Sequence, residues 1–462
     1  MSISKHLLAL AIGACLTAPA SAQESLIEVY ERALMNDPAI REAEATYLAN
    51  AEVKPQARSA LLPTLNLGAT RSNRYTDLRG SGVVDPITGQ GAGRQLSDLD
   101  SAGYQLSLTQ SIFNWSQYKT LEQADKRVVR AETDFRAAQQ DLILRVSAAY
   151  FNVLAAEDSL AAAVAARDSV SRQLEQSQRR FEVGLIAITD VQQSQAGYDD
   201  AVALEIEAQR LLANSEEQLR EIVGELVPQL AAPTDDLPLL SPDPANADEW
   251  VRVALDSNLA LQSSRLAADV ASDQIAIEKG NRLPELSLSA NYTDDEQDRV
   301  STLFSPTFPD GRPVPSTQLP EGRSWSLNLT FPIYTGGLNR SRIQQSVYQH
   351  RAATNAVERI ARQTERQTRD AYLGVISEIS RVRALRQAVE SNRTALRATE
   401  AGFEVGTQTT VDVLASQNNL RRAETTYARS RYDYMINVLR LKQAAGNLTE
   451  MDVAQVDGWL QQ

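Results

Sequence analysis

FEVGLIAITDV runs from Phe181 to Val191, and FEVGTQTTVDV from Phe403 to Val413. The two copies stand 222 positions apart in a chain of 462 residues. Each sets a glycine (Gly184, Gly406) after a long run of helix-forming residues, and an aspartate (Asp190, Asp412) at the head of the next run. Glycine just past a helix end takes the left-handed conformation that closes it. A hydroxyl followed by a carboxylate suits the positive end of the next helix. The phrase therefore reads as the turn of a helical hairpin. Thr189, with Gln192 completing a capping box, and Thr410 are the expected caps. On spacing alone, Asp190 and Asp412 fit two readings, helix-start residues or functional ones.

The duplication extends outward from the phrase. Leu62-Pro63-Thr64-Leu65-Asn66-Leu67 matches Leu283-Pro284-Glu285-Leu286-Ser287-Leu288, and Leu106-Ser107-Leu108-Thr109 matches Leu327-Asn328-Leu329-Thr330. Tyr150 pairs with Tyr372, and Gly224 with Gly446. Such self-similarity predicts one fold built twice, over residues 23–227 and 250–446. A proline-rich linker (228–249) joins the halves, and a short segment (447–462) ends the chain.

Proline marks where long helices are permitted. None falls between Pro86 and Pro228, and none after Pro332. Apolar residues such as Leu142, Val146, Tyr150 and Val153 recur at helical spacing, so 118–183 and 339–405 are expected as continuous helices. Shorter helical stretches at about 24–60, 190–227, 249–281 and 412–445 are expected to stack beside them.

Four other segments alternate with period two. Leu65 and Leu67, Leu106 and Leu108, Leu286 and Leu288, and Leu327 and Leu329 interleave with Asn, Ser and Thr. These predict strands of about ten residues near 62–76, 104–113, 283–292 and 324–334, apolar on one face. Residues 76–103 and 293–323 are expected as long exposed loops. Leu67, Leu108, Leu288 and Leu329 are the expected lipid-facing positions, with aromatics such as Tyr104, Tyr292 and Phe113 near the strand ends, as in an outer-membrane barrel. The pattern alone also fits two hairpins of a soluble sheet. In lipid, four strands leave open edges whose backbone groups have no partner, so several chains would have to share one barrel. Three chains would supply twelve strands.

Composition limits the chemistry. The formal charge of −13 gives no basic footprint for nucleic acid. Residues 1–22 have a short basic start, an apolar stretch and Ala20-Ser21-Ala22, which reads as a signal peptide cut between Ala22 and Gln23. Ile12-Gly13-Ala14-Cys15 offers the competing lipoprotein reading. Cleavage after Ala22 removes the one cysteine and leaves His350 as the one histidine. That excludes disulfides, His- or Cys-built metal sites and Ser-His or Cys chemistry, so neither catalysis nor a cofactor is expected. Past residue 22 no stretch has the ~20 apolar residues of a spanning helix.

RFEVGLIAITDVQ and AGFEVGTQTTVDVL, with LTQSIF, AYFNVLAAED and YDYMINVLRLKQAAGNL, closely resemble the TolC family of outer-membrane channel-tunnels. The resemblance covers Gln23 to about Leu460. It implies an α+β membrane protein: a homotrimer with a shared twelve-stranded β-barrel in outer-membrane lipid and long antiparallel helices forming a periplasmic α-helical barrel. It implies a passive exit duct for multidrug efflux or type I secretion, docked to a periplasmic adaptor and an inner-membrane pump or ABC exporter. A metal- or cation-efflux channel of the same fold is the alternative, and a secreted trimeric coiled coil is the alternative of another class. The hairpin turns then become the periplasmic gate, with Thr189 and Asp190 in one and Phe403, Gln408 and Asp412 in the other. Asp412 would form an acidic ring, and Asp190 would tether the hairpins. The chain has Phe403 where the family pattern has tyrosine, Gln408 where it has arginine, and Ala415 where it has a second acid. These departures put the family's polar lock in doubt.

Overall fold

Two helices of nearly equal length dominate the chain: α4 (Trp115–Glu182) and α8 (Leu338–Glu404), of 68 and 67 residues. The computed structural model describes residues 23–84, 89, 91–234, 237–306 and 308–460. The expected signal peptide, including Ala22, lies outside the described residues. Before α4 come α1 (Leu26–Asn36), α2 (Pro38–Ala51), α3 (Val53–Ser59) and the strands β1 (Thr64–Val84) and β2 (Gly91–Phe113). Between α4 and α8 come α5 (Ile188–Val223), α6 (Ala247–Ser257), α7 (Leu259–Gly280), β3 (Glu285–Ser305), β4 (Phe308–Gln318) and β5 (Glu321–Thr330). The chain closes with α9 (Thr410–Ala445) and α10 (Glu450–Asp457). Among the described residues, no helix is long and apolar enough to cross a membrane.

The shorter helical stretches are less continuous than periodicity predicts. Residues 24–60 break into three helices, and 249–281 into two. The first break falls at Asp37-Pro38, where proline has no N–H to continue the ladder. Asp37 ends α1, and its Oδ2 accepts from the Ile40 amide at 3.3 Å. Asn258 plays the same part after α6: its Oδ1 accepts from the Leu261 amide at 3.0 Å, and its side-chain amide donates to the Ala444 carbonyl at 3.0 Å. In each case a short polar side chain takes over hydrogen bonds that the helix gives up.

Backbone contacts divide the chain into two units. One holds the described part of Met1–Thr46, with Thr133–Gln262 and Glu358–Gln462; the other holds Tyr47–Glu132 and Ser263–Val357. In the first unit Leu26, Val29, Tyr150, Phe151, Tyr432, Met435 and Leu439 form a closed core. Phe151 packs edge-on against Tyr150 (5.5 Å between centroids) and stacks on Tyr432 (5.9 Å). The Tyr150 hydroxyl lies 2.8 Å from the Ala231 carbonyl and 3.0 Å from that of Glu24. Irregular backbone after α5 is thereby stitched to the start of the described chain. Asp457 completes the seam: its buried carboxylate accepts from the amide of Leu26 at 2.7 Å, at the start of α1.

The second unit is built on one antiparallel sheet in the order β1-β2-β3, with β4 and β5 both on the far edge of β3. These two follow each other along that edge, Gln318 facing Gln297 and Glu321 facing Asp294, with Leu319-Pro320 between them. They amount to one pass of chain interrupted where Pro320 has no amide for the ladder. The strands are about twice as long as predicted, β1 to β3 running 21 to 23 residues. Most of 76–103 and 293–323, expected as loops, is therefore strand. Cross-strand polar pairs account for the difference: Asp77 with Arg94 at 2.9 Å, Asn73 with Asp98 at 2.9 Å, and Thr317 with Asp298 at 2.6 Å. Hydrophobic alternation does not register such pairs, although they stabilise a sheet much as apolar ones do.

Candidate functional site

The two hairpin turns close identically at the backbone. Gly184 has φ 76° and donates to the Phe181 carbonyl at 2.8 Å, while Leu185 donates to Arg180 at 2.9 Å. Gly406 has φ 80° and donates to the Phe403 carbonyl at 3.2 Å, while Thr407 donates to Gly402 at 2.8 Å. This paired bonding around a left-handed residue is the Schellman motif, and it satisfies two carbonyls that the helix end leaves open.

The cap of the next helix lies three residues after each glycine, and the helix itself begins one residue later. The cap of α9 is Thr409 rather than Thr410. Thr409 Oγ1 accepts from the Asp412 amide at 3.3 Å, and Asp412 Oδ2 accepts from the Thr409 amide at 2.9 Å and its hydroxyl at 2.7 Å. Thr410 is buried, and its hydroxyl has no partner among the described residues. The cap of α5 is Ala187, not Thr189. Alanine has no oxygen to offer, so only half a capping box forms: Asp190 Oδ2 accepts from the Ala187 amide at 3.3 Å. Thr189 sits exposed in the first turn, and Gln192 takes no part in the cap. One signal was available in the sequence. Asp190 and Asp412 each lie six residues after the glycine, and reading each as the third helical residue places the caps at 187 and 409.

The cap interactions set the charge at Asp412. The hydroxyl and amide of Thr409 hold its carboxyl below the usual aspartate value, so it is ionised at neutral pH. Asp190 bonds within its own turn.

The sheet brings the four predicted strand leucines onto one face. Leu67 pairs with Leu106, Leu108 with Leu65 and Ala290, Leu288 with Leu327, and Leu329 with Leu286. Leu67 is 74% exposed and Leu329 69%, while Leu108 and Leu288 are half-buried. The opposite face carries Asn66, Ser107, Asn291 and Ser324 in one cross-strand row.

The outer membrane efflux protein family model matches this chain twice, at residues 29–225 and 250–447. The chain belongs to the outer membrane efflux protein family. It is 36% identical over 460 residues to the outer membrane protein TolC of Vibrio cholerae, covering 99% of each chain. It is 28% identical over 433 residues to the alkaline protease secretion protein AprF of Pseudomonas aeruginosa, covering 93% of this chain and 86% of AprF. The Campylobacter jejuni CmeC outer membrane channel has the same fold, with a TM-score of 0.74 at 16% identity over 95% of this chain and 90% of that one. Members of the family are channels rather than enzymes.

In this efflux protein the departures at the tips have a structural counterpart that the sequence reading missed. Phe403 is 7% exposed, and the Arg180 guanidinium lies 4.8 Å from its ring centroid. The contact crosses from the end of α8 to the end of α4, so it joins the two hairpins. Two further contacts do the same: the side-chain amide of Gln417 donates to Ser169 at 3.0 Å, and Leu414 packs over Gly197. Gln408 is exposed and folds back over Gly402. A cation–π contact thus stands where the resemblance leads one to look for a polar lock.

Proposed function

We propose that this outer-membrane efflux protein is a trimeric exit duct, gated at its two hairpin turns and serving efflux and type I secretion. One observation carries the reading. Among the described residues the four-pass sheet ends in two unpaired edges, β1 on one side and β4 with β5 on the other, and at its leucine end one face is apolar and exposed. Lipid cannot hydrogen-bond open edges, so other copies must close the sheet. Three copies make a twelve-stranded barrel, apolar outward and wet within. TolC and AprF, each similar over nearly the whole chain, support the exit-duct role, and a periplasmic adaptor and an inner-membrane pump or ABC exporter are the partners it calls for.

The remaining parts follow from the same reading. Residues 1–22 are the export signal, cut between Ala22 and Gln23. Residues 23–227 and 250–446 are two copies of one unit, and 228–249 with 447–462 form a band around the helices. Leu67, Leu108, Leu288 and Leu329 face lipid. Three Asp412 carboxylates gather cations at the entrance, where one exposed carboxylate would not.

Mass measurement on gently extracted protein tests the assembly: about three chains per particle are expected, and a folded monomer in the outer membrane would overturn it. A charge at mid-membrane on a lipid face costs roughly 2–4 kcal/mol, so Leu329→Arg should impair assembly far more than Asn328→Arg. Asp412→Ala should weaken block by multivalent cations in a planar bilayer, and unchanged block would return Asp412 to a helix-start role. Phe403→Tyr with Gln408→Arg should lower resting conductance by restoring a polar lock.

A further inference from the structure

The sheet sorts its charges by face. On the face that carries the leucines, Arg71, Arg79, Arg94 and Arg323 each meet a carboxylate, at 3.4, 2.9, 2.9 and 3.0 Å. Asp98, Asp294, Glu296 and Asp298 lie on that face as well. On the opposite face, the face of Asn66, Ser107 and Asn291, the charged residues include Arg74, Arg299, Arg312, Asp295 and Glu285, and Asp310 lies two residues before Arg312, where the pairing of β3 with β4 shifts register. Arg74 and Arg299 share one cross-strand row, Arg74 facing Leu99 and Leu99 facing Arg299. Both are exposed, and neither has a carboxylate partner among the described residues. Arg312, on β4, lies over the Phe308 ring at 5.3 Å. Asp295 lies two rows nearer the leucine end, over Gly103.

We propose that Arg74 and Arg299 form a cationic ring inside the outer end of the pore that binds polyvalent anions of the oligophosphate class. The inference rests on the trimeric barrel proposed above, with the polar face inward. Flanking one strand, the two residues stand about 10 Å apart, twice the usual strand spacing. Two guanidinium arms therefore converge on one small polyanion, and a guanidinium matches phosphate oxygens two at a time. Three chains supply six such arms. Six like charges around one lumen hold a polyanion far better than a pair on an open surface. The ring has the opposite sign to the Asp412 carboxylates, so it repels the cations that the hairpins would gather.

Single-channel recording of the full-length assembled protein tests this, with sodium tripolyphosphate added to either chamber. The parent channel should be blocked. Arg74→Ser with Arg299→Ser should raise the half-blocking concentration about tenfold or more, while Arg74→Lys with Arg299→Lys keeps most of the block. Arg323→Ser, on the other face, should leave block unchanged. An unblocked parent, or equal block in the double serine variant, overturns the ring. A second arm separates this from the barrel itself. Arg299→Cys should change conductance when treated with a charged methanethiosulfonate reagent. No response overturns the inward face and, with it, both readings. A response alongside block that ignores the serine substitutions removes the ring and leaves the barrel standing.

Discussion

Phe181 and Phe403 open the same phrase and occupy the same place in the same turn, yet one is 42% exposed and the other 7%. The backbone makes no distinction between them. Both turns use a left-handed glycine, the same pair of hydrogen bonds and a helix cap three residues on. One difference lies one residue earlier in each copy. Arg180 precedes Phe181 and reaches across to Phe403. Its counterpart is Gly402, which has no side chain to send back to Phe181. A Cβ at Gly402 would also meet Gln408 at 2.7 Å, so the glycine makes room for the fold of its own turn. Local hydrogen bonding repeats wherever its sequence repeats. A contact between hairpins needs two partners, and here only one copy holds the cation.

The largest effect expected from this asymmetry comes from truncating the two rings. Phe403→Ala should destabilise its tip by about 3 kcal/mol, the usual cost for a buried phenylalanine. Phe181→Ala should cost less than about 1 kcal/mol, as exposed positions do. Amide hydrogen exchange at the two tips measures both, and equal loss of protection would break the comparison.

The glycines should behave alike. At φ 76° and 80° an added Cβ meets open space, so the penalty is backbone strain alone. Gly184→Ala and Gly406→Ala should each cost roughly 1–2 kcal/mol. A clear difference between them would mean that packing, not the turn, sets the need for glycine.

Smaller effects belong to the caps. Thr409→Ala should cost about 1 kcal/mol of α9 stability, because it removes a working cap. Ala187→Ser should move the other way, strengthening α5 by up to about 1 kcal/mol by supplying the missing oxygen. Fraying at the first turn of each helix, read by exchange or by near-tip labelling, distinguishes the two.

Acid should produce the smallest difference. Asp412 has a folded-state carboxyl held below its ordinary value of 3.8. The stabilisation from its ionised form is therefore present above that value and is lost as pH falls below it toward the depressed one. The α9 start should loosen over that acid range, and Asp412→Asn should remove the pH dependence. A tip that stays tight through that range would show that Thr409 does not hold the carboxylate in solution.

Much of the fold could be read along the chain because it rests on local periodicity. Proline-free runs with apolar residues at helical spacing mark α4 and α8 to within three residues at their starts and one at their ends. Alternation with period two puts Leu65, Leu67, Leu106 and Leu108 on one face of a sheet. The turn glycines stand out because only glycine adopts their conformation cheaply. The caps were misplaced by one residue at Thr410 and by two at Thr189. A hydroxyl draws the eye to Thr189 and Thr410, whereas the spacing from each glycine to its aspartate sets the caps at Ala187 and Thr409.

Other features had no local mark. The strands run on past the leucines because Asp77 finds Arg94 and Asp298 finds Thr317, partners 17 and 19 residues away. No alternation of hydrophobicity announces such a pairing. Pro38 marks the break at Asp37, but the break at Asn258 has no proline, and its side-chain amide finds the Ala444 carbonyl only once α9 is in place. The contrast between Phe181 and Phe403 lies furthest from the sequence, since two identical residues in identical turns acquire different surroundings. Periodicity and backbone conformation are properties of neighbours along the chain, so the sequence settles helices, strand faces and turn glycines. Burial and cross-chain pairing join residues that are distant in sequence, so they exist only once the hairpins and strands have been brought side by side.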